Sequence, residues 1–341
     1  MLQVEYLPLE RAADYMKRAG PGLLGVLGFP AVPAGFPDGV ATACVAAPNL
    51  RPGGAGALCE IWSSRDPVGS GTEGDIRLAV AGDFLFGVLS VAEGDGGLRA
   101  AAGRAYRDIF ALLERRGFPH AVRFWNYLAR INEEEGGLER YRHFNLGRGD
   151  AFEAASRCRP ESIPAACALG TEAGDRLTVY FVAARHAAQP VENPRQVSAY
   201  RYPPEHGPHS PTFARAVVYP AGGAEMLFVS GTASIVGHET VHAGDVVAQT
   251  RETLANLGAV FAEANRVSRP GAFAIGEASF KVYVRHPEDA GLVRREVFAA
   301  LGPAADAHFL RADICRHDLL VEIEAIAYAD AAGGGPAAGA P

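Results

Sequence analysis

The amino-acid sequence predicts an α/β (α+β) fold made of one supersecondary unit used twice, each copy a sheet with helices packed on one side. Two observations support this. Both halves of the 341-residue chain contain stretches with strand-like alternation. In each half a long helical pattern follows a strand, and an extended stretch returns after it. No βαβ fingerprint of G-x-G-x-x-G type follows a strand and no G-x-x-x-x-G-K-[ST] occurs, so a nucleotide cofactor is not indicated.

The N-terminal copy contains three predicted elements. GDFLFGVLSV, at 82–91, is a predicted strand, and HAVRFWNYLARI, at 120–131, is the returning stretch. Between them, 98–117 has apolar residues at helical spacing. The residues on the apolar face are Leu98, Ala102, Ala105, Ile109 and Leu112.

The C-terminal copy repeats this order. Two strands around a Gly-rich turn are predicted at 213–234, followed by a helix at 245–266 that Asp245 can cap. The remaining elements are a strand, a short helix and a last strand, at 273–287, 294–301 and 318–329. We therefore expect an N-terminal half at 1–165, a C-terminal half at 166–330 that carries most of the functional residues, and a disordered Ala/Gly/Pro-rich tail at 331–341.

Composition narrows the classes of function. A net charge of −7, with no stretch that interleaves Lys or Arg with aromatic residues, argues against a nucleic-acid partner. The five scattered cysteines contain no C-x-x-C pair, so neither a disulfide framework nor a zinc ribbon is predicted. No apolar run approaches the roughly 20 residues that cross a bilayer, and the start lacks the layout of a signal peptide. We expect a cytoplasmic protein without a membrane partner.

One short motif suggests a metal. His238-Glu239-Thr240-Val241-His242 matches H-E-x-x-H, in which two helical histidines share a zinc ion and the glutamate acts as general base. Here Gly237 and Gly244 flank the motif and the predicted helix begins only near Asp245, so the histidines are expected on a loop. We predict no metal, and keep a zinc hydrolase as an alternative with Glu263 as a possible third ligand.

The last predicted strand carries two carboxylates on a largely apolar face. Alternation places Glu322 and Glu324 on one face of 318–329. Burial and a like-charged neighbour both raise a carboxyl pKa, so one glutamate could hold a proton near neutral pH and act as a general acid. The alternative is that both face solvent or pair with arginines.

The C-terminal half resembles the Rid/YjgF family, which has a chorismate-mutase-like fold. EHGPHSPTFARAVVYPAGGAEMLFVSGTAS, DVVAQTRETLANLGAVFAEA and LVEIEAIA are similar to that family's opening, first helix and closing strand. Arg311 matches the family's carboxylate-binding arginine, with a shorter gap to the glutamate. The resemblance implies a pseudo-trimer-like arrangement within one chain, and hence a monomer.

The full chain resembles a narrower family, the chorismatases. RFWNYLARINEEEGGLERYRHFNLGRGDAF, VSAYRYPPEHGPHSPTFARA, FVSGTASIVGHETVHAGD and CRHDLLVEIEAIAYA occur in the order seen in that family, over roughly residues 25 to 330. Chorismatases cleave the enolpyruvyl ether of chorismate and release pyruvate, without a cofactor. Because chorismate is a dianion, arginines with hydroxyl donors beside them are expected to bind it. The candidates are Arg148, Tyr200, Arg201, Arg215 and Arg311.

By this resemblance Glu322 is the acid that protonates the methylene of the enol ether. Cys315, seven residues before it, and Gly231 match the subtype that makes 3-hydroxybenzoate, a starter unit for secondary metabolism. The thiol could relay a proton, and the glycine could leave room for a different ring pose. Two alternatives remain: a hydrolase that yields a dihydroxycyclohexadienoate, and a Rid-like imine deaminase or small-acid binder.

Overall fold

The computed structural model describes residues 1–33, 39–51, 56–171, 174–269 and 271–330. The tail predicted at 331–341 lies outside these residues. Along the described ranges, no helix is both long and apolar enough to cross a membrane.

The described residues up to Ser64 form a four-stranded sheet with one α-helix. Its elements are β1 (Leu2–Pro8), α1 (Leu9–Ala19), β2 (Leu23–Phe29), β3 (Ala41–Cys44) and β4 (Leu58–Ser64). The strands lie in the order β1-β4-β2-β3. Ala12 and Met16 of α1 pack on one face with Val26 and Ile61. The sequence analysis missed this sheet because β2, LLGVLGF, is buried on both faces and therefore lacks alternation.

The second sheet has six strands and carries two helices on one face. Its strand order is β11-β8-β12-β7-β6-β5, and β9 pairs with β10 in a separate hairpin. Aromatic side chains from α2, α3 and the sheet, among them Tyr106, Phe124 and Phe152, fill the layer between them. The elements of this region are β5 (Val68–Glu73), β6 (Ile76–Ala81), β7 (Phe84–Ala92), α2 (Gly97–Arg116), β8 (His120–Ala129), β9 (Glu134–Glu135), β10 (Leu138–Glu139), α3 (Arg140–Ala154), β11 (Ala165–Thr171) and β12 (Arg176–Ala184).

The third sheet repeats this arrangement. Its strand order is β13-β14-β15-β20-β18-β19, with α4 and α5 on one face and β16 paired with β17. The Asp245 carboxylate accepts hydrogen bonds from the backbone N–H of Val247 and Ala248, which confirms the predicted cap. The elements are β13 (Gln189–Val191), β14 (Ala216–Ala221), β15 (Ala224–Ala233), β16 (Ile235–Val236), β17 (Glu239–Thr240), α4 (Val246–Val267), β18 (Ser279–Val284), α5 (Ala290–Leu301), β19 (Asp306–Arg311) and β20 (Val321–Asp330).

The three sheets turn their helix-free faces toward one another and share a central core. Trp62 of β4 lies 5.6 Å from Trp125 of β8 and 6.5 Å from Phe228 of β15, measured between ring centroids. All three side chains are buried, and burial of each large apolar side chain contributes about 1.5–3 kcal/mol. The expected α/β fold with helices on one side of each sheet is confirmed, with a third sheet added to the predicted pair.

The domain boundary stays a prediction. The expected division at 165/166 falls at the first residue of β11, whereas β11 and β12 both belong to the second sheet. The chain changes sheet between Ala184 and Gln189. The strands therefore favour a division about twenty residues later than the one expected from the sequence.

Candidate active site

A cavity of about 260 Å³ lies where the third sheet meets three connecting segments. Strands β15 and β20 supply Gly231 and Glu322, the loop before β20 supplies residues 315–318, and the start of α3 supplies Tyr141 and Arg142. The remaining wall comes from the segment between β13 and β14 and from β17. Three arginines line the cavity together with apolar side chains and four carboxyl groups, and the arginines can bind an anionic ligand.

Glu322 is a buried carboxyl group at the wall of this cavity. Only 3% of the residue is exposed, and its Oε1 has no hydrogen-bond partner in the described part of the chain. Burial, together with the nearby charge of Glu324, raises the pKa of Glu322 to about 8, while Arg123 and Arg285 oppose the shift. Glu322 therefore holds a proton at neutral pH and can give it to a group in the cavity.

Gly231 makes room for the Glu322 side chain. A Cβ atom at position 231 would lie 1.9 Å from Glu322 Oε1 and 2.6 Å from its Cδ. The strand pairing between β15 and β20 shifts register between Val229 and Thr232, which places Gly231 at an irregular point of the ladder. Any larger residue would displace the carboxyl group. From the sequence, Gly231 is expected to leave room for a different pose of the substrate ring, and that role stays a prediction.

Cys315 is a half-buried thiol that also lines the cavity. Burial, together with the neighbouring carboxyl group of Glu322, raises the pKa of Cys315 to about 12. The thiol therefore keeps its proton at neutral pH, which suits a weak hydrogen-bond donor or proton relay rather than a thiolate nucleophile.

Arg285 positions the loop that carries Cys315. The guanidinium of Arg285 donates hydrogen bonds to the backbone carbonyls of Ile314, Arg316 and Leu319 at 3.1, 2.8 and 2.8 Å. It also pairs with the carboxylate of Asp313 at 2.9 Å. One buried side chain thus holds four residues around this loop, of which Arg316 lines the cavity. The sequence pattern did not indicate this role, because most partners of Arg285 are backbone atoms about thirty residues away.

Glu324 lies two residues from Glu322 but in an ionic environment. It accepts hydrogen bonds from Arg123, from Trp125 Nε1 at 2.9 Å and from Tyr283 OH at 3.2 Å, and it pairs with Lys281 at 2.6 Å. Burial acts to raise the pKa of Glu324, but Lys281 and Arg123 outweigh it and the pKa is lowered. Glu324 is therefore ionised.

Lys281 connects Glu324 to the other sheets. Its ammonium also pairs with Glu60 of β4 at 2.7 Å and donates to Tyr180 OH of β12 at 2.6 Å. This buried ionic cluster, Glu60, Arg123, Lys281 and Glu324, takes at least one residue from each of the three sheets. The cluster holds the negative charge of Glu324 in place beside Glu322.

Three cationic side chains face the cavity. Arg215 is buried; its Nη2 donates to Tyr202 OH at 2.7 Å and to Val197 O at 2.9 Å, while its Nε has no partner among the described residues. Arg316 Nη1 donates to the backbone carbonyl of His238 at 2.8 Å. Arg142 Nη2 donates to the carbonyl of Glu205 at 3.2 Å. Each guanidinium retains N–H groups that can bind a carboxylate.

Comparison with known proteins places the chain in a family. Residues 60–183 match the family model described as "Chorismatase FkbO/Hyg5-like, N-terminal". A chorismatase of Streptomyces rapamycinicus is 42% identical over 280 residues, which cover 79% of this chain and 82% of that protein. This chain belongs to the chorismatase family.

Two further chorismatase-family comparisons cover nearly the whole chain. A 3-hydroxybenzoate synthase of Streptomyces hygroscopicus is 36% identical over 324 residues, which cover 90% of this chain and 92% of that protein. A crystal structure of a chorismatase matches with a TM-score of 0.86 at 33% identity, covering 96% of this chain and 98% of that one. The three-sheet fold is therefore the chorismatase fold.

Of the five residues expected to bind the substrate, Arg215 lines the cavity and the other four do not. Arg148 is buried against the rings of Tyr106 and Phe152 and donates to Thr212 O at 2.7 Å. The other three lie in the short helical turn Ala199–Arg201 and at the end of β19: Tyr200, Arg201 and Arg311. The role in substrate binding expected for all five residues stays a prediction.

Arg142 and Arg316 line the cavity in their place. Both fall inside segments that carry the chorismatase resemblance, RYRHFN and CRHD, so a signal was present. The choice among many arginines could not be made from the sequence, because the arginines converge only after α3, the 315–318 loop and β14 have packed together.

The H-E-x-x-H motif forms a hairpin rather than a helix. Glu239 and Thr240 make up β17, which pairs with β16, and α4 begins at Val246. His242 has a left-handed φ of 61° and lies 3.7 Å from Glu252, so its side chain is directed away from His238. The expectation that the motif lies outside the helix is confirmed, and the ligand arrangement of a zinc protease is not formed.

Proposed function

We propose that this chain is a chorismatase that cleaves the enolpyruvyl ether of chorismate into pyruvate and 3-hydroxybenzoate. Membership of the chorismatase family supports the reaction. The observation that carries the mechanism is Glu322, a buried, protonated carboxyl group with an unpaired oxygen at the wall of an arginine-lined cavity.

The arginines of the cavity bind the two carboxylates of chorismate. Arg142, Arg215 and Arg316 approach from three different segments, so the dianion is held at more than one point while its apolar ring lies against Tyr141 and Phe213. The three arginines lie around the cavity wall, and Glu322 lies on β20 in the same wall. Binding of the substrate carboxylates by the arginines therefore directs the enol ether toward Glu322.

Glu322 starts the reaction by transferring its proton to the terminal methylene of the enol ether. The former vinyl carbon becomes an oxocarbenium ion, and the new Glu322 carboxylate stabilises that positive charge. The ring hydroxyl next to the ether then attacks this carbon and loses its proton, which gives a cyclic ketal. The bond between the ring and that hydroxyl oxygen breaks, and loss of the proton from the ring carbon that bears the ether makes the ring aromatic. Finally the bond between the former vinyl carbon and the ether oxygen breaks, so the ether oxygen stays on the ring of 3-hydroxybenzoate, the former hydroxyl oxygen becomes the keto oxygen of pyruvate, and no water is consumed.

Two residues favour the aromatic product. Gly231 sets the position of Glu322, and the protonated thiol of Cys315 lies where it can donate toward the substrate. The relative named 3-hydroxybenzoate synthase agrees with this choice. The alternative is capture of the oxocarbenium ion by water, which consumes one water molecule and gives pyruvate and a dihydroxycyclohexadienoate.

The products of chorismate turnover test this proposal. Purified protein is incubated with chorismate, with and without a chelator, and the products are separated by mass-resolved chromatography. In each sample we expect one molecule of pyruvate for every molecule of 3-hydroxybenzoate, and the chelator should not change these amounts. A dihydroxycyclohexadienoate would retain Glu322 as the acid and refute the subtype, and unchanged chorismate would refute the function.

We further propose that the protein is a cytoplasmic monomer. Three sheets of one chain already face each other around a shared core, which supplies within one subunit the contacts that three separate chains would otherwise make. Light scattering of the purified protein tests this: a mass near 35.9 kDa is expected, and a multiple of it would contradict the proposal.

A further inference from the structure

Four potential metal ligands lie together at the edge of the cavity. Glu205 and His206 come from the short helical turn Pro204–His206, and His238 and Glu239 come from the β16–β17 hairpin. One ligand atom from each of the four residues lies within 4.8 Å of the others. His206 and Glu239 also line the cavity, so the group lies at its entrance.

The atoms of this group lie at hydrogen-bond and ion-pair distances from one another, within about 0.4 Å of the separations expected around one small cation. His238 Nδ1 lies 3.0 Å from His206 Nε2, 3.0 Å from Glu239 Oε1 and 3.7 Å from Glu205 Oε1. In a tetrahedral zinc site with bonds of about 2.0–2.2 Å, neighbouring ligand atoms are about 3.3–3.6 Å apart. Small side-chain movements would place all four atoms around a single ion.

The chemistry of the ligands favours a borderline transition metal. Two imidazoles with two carboxylates suit Zn²⁺, whereas Mg²⁺ and Ca²⁺ prefer sites made of oxygen alone. The two carboxylates balance the charge of a dication. Arg316 is nearby, but its Nη1 donates to the backbone carbonyl of His238 at 2.8 Å, and thereby holds the hairpin where His238 meets His206.

We propose that Glu205, His206, His238 and Glu239 bind one Zn²⁺-class ion at the cavity entrance. The ion fastens the Pro204–His206 turn to the β16–β17 hairpin, two walls of the cavity that otherwise meet through side chains. The His206 ring also lies 5.1 Å from the ring of Tyr202, whose hydroxyl accepts a hydrogen bond from Arg215. The site is thus connected to the substrate-binding arginine, and it takes no part in proton transfer by Glu322.

Metal titration of the untagged full-length chain tests the site. The protein is stripped with a chelator and titrated with Zn²⁺ by calorimetry, and with Co²⁺ while the visible spectrum is recorded. We expect one ion per chain, the intense absorption of tetrahedral Co²⁺, and a rise in the melting temperature of a few degrees with saturating Zn²⁺. A wild-type chain that binds no ion saturably would overturn the proposal.

Matched variants locate the ion. His206→Asn/His238→Asn should lose the Co²⁺ spectrum and weaken binding by more than about tenfold. His242→Asn is the control, because His242 is the other histidine of the motif and asparagine tolerates its left-handed backbone. Glu205→Gln, an exposed change that does not threaten folding, should also weaken binding. The site would be refuted if the double variant or Glu205→Gln bound the metal as tightly as the wild-type chain. It would also be refuted if His242→Asn weakened metal binding as much as the double variant does. None of these readouts requires chorismate turnover, so the site and the proposed function fail separately.

Discussion

Glu322 and Glu324 are the same amino acid on the same face of the same strand, yet their surroundings give them opposite protonation states. Glu322 faces the cavity with an unpaired oxygen and a raised pKa, while Glu324 lies inside the ionic cluster with a lowered pKa. The difference arises from residues distant in sequence, Arg123 and Lys281. The side chains that pack against a buried carboxyl group therefore decide whether it keeps its proton or is ionised in an ion pair.

The two glutamates also depend on each other. The cluster keeps Glu324 charged, and that charge is the second contribution, after burial, to the raised pKa of Glu322. The buried ion pairs of Glu324 therefore affect the pKa of the carboxyl group two residues away on the same strand. Variants that change one glutamate at a time should separate activity from stability.

The largest expected effect is the loss of turnover in Glu322→Gln. Glutamine has a similar shape but no acidic proton, so the first step loses general acid catalysis, which is typically worth about 10²–10⁴ in rate. Initial rates of chorismate consumption measure this loss. Unfolding by denaturant should show that the variant is still folded. A variant that retains a tenth or more of the wild-type rate would remove Glu322 from the acid role.

Glu324→Gln should cause the largest loss of stability. Removing this carboxylate leaves Arg123 and Lys281 buried with less negative charge around them, and breaking a buried ion pair on one side costs about 3–5 kcal/mol. Denaturant unfolding measures the change. If Glu324→Gln unfolds at the wild-type midpoint, the ionic cluster does not hold the three sheets as described.

Glu322→Gln should have the opposite effect on stability at neutral pH. In the unfolded chain Glu322 ionises near its ordinary pKa of 4.5, whereas the folded chain keeps the proton up to about pH 8. The folded state binds more protons, so this group lowers the free energy of unfolding as pH rises from about 4.5 to 8. Glutamine removes the penalty, and we expect about 1–3 kcal/mol of stabilisation at pH 7 and none at pH 4. Equal effects at both pH values would contradict the raised pKa.

A smaller effect is expected for Gly231→Ala. The new Cβ would lie 1.9 Å from Glu322 Oε1, so the carboxyl group must move while the strand keeps its pairing. We expect about a tenfold lower kcat, since one displaced catalytic group costs on the order of 1–2 kcal/mol of barrier. Ala233→Gly, on the same cavity wall, is a control for altered strand packing. An unchanged kcat in Gly231→Ala would show that the Glu322 carboxyl group can shift away from the new Cβ atom without loss of catalysis.

The sequence predicted much of the third sheet, but it predicted neither the first sheet nor the different environments of the two glutamates. Alternation placed Glu322 and Glu324 on one face correctly, since strand periodicity is a local property. It could not separate their roles, because Arg123 lies 201 residues before Glu324 and belongs to another sheet. The first sheet was missed because β2 is buried on both faces.

The cavity arginines show the same limit. Arg215 was recognised, whereas Arg142 and Arg316 were passed over although both stand in segments that carry the family resemblance. Arg148 was chosen instead, and its guanidinium packs on the rings of Tyr106 and Phe152. The sequence can indicate that arginines are needed, but only the packed chain shows which of them line the cavity.

The most direct test of this account is a titration of the Glu322 carboxyl by infrared difference spectroscopy. Spectra of the wild-type chain and of Glu322→Gln, recorded across the pH range, isolate the protonated carboxyl band of this one side chain. We expect a band that persists at pH 7 and disappears with a midpoint near pH 8. A band that disappears near the ordinary glutamate pKa of 4.5 would show that Glu322 is ionised in the folded protein, and would contradict its role as the acid.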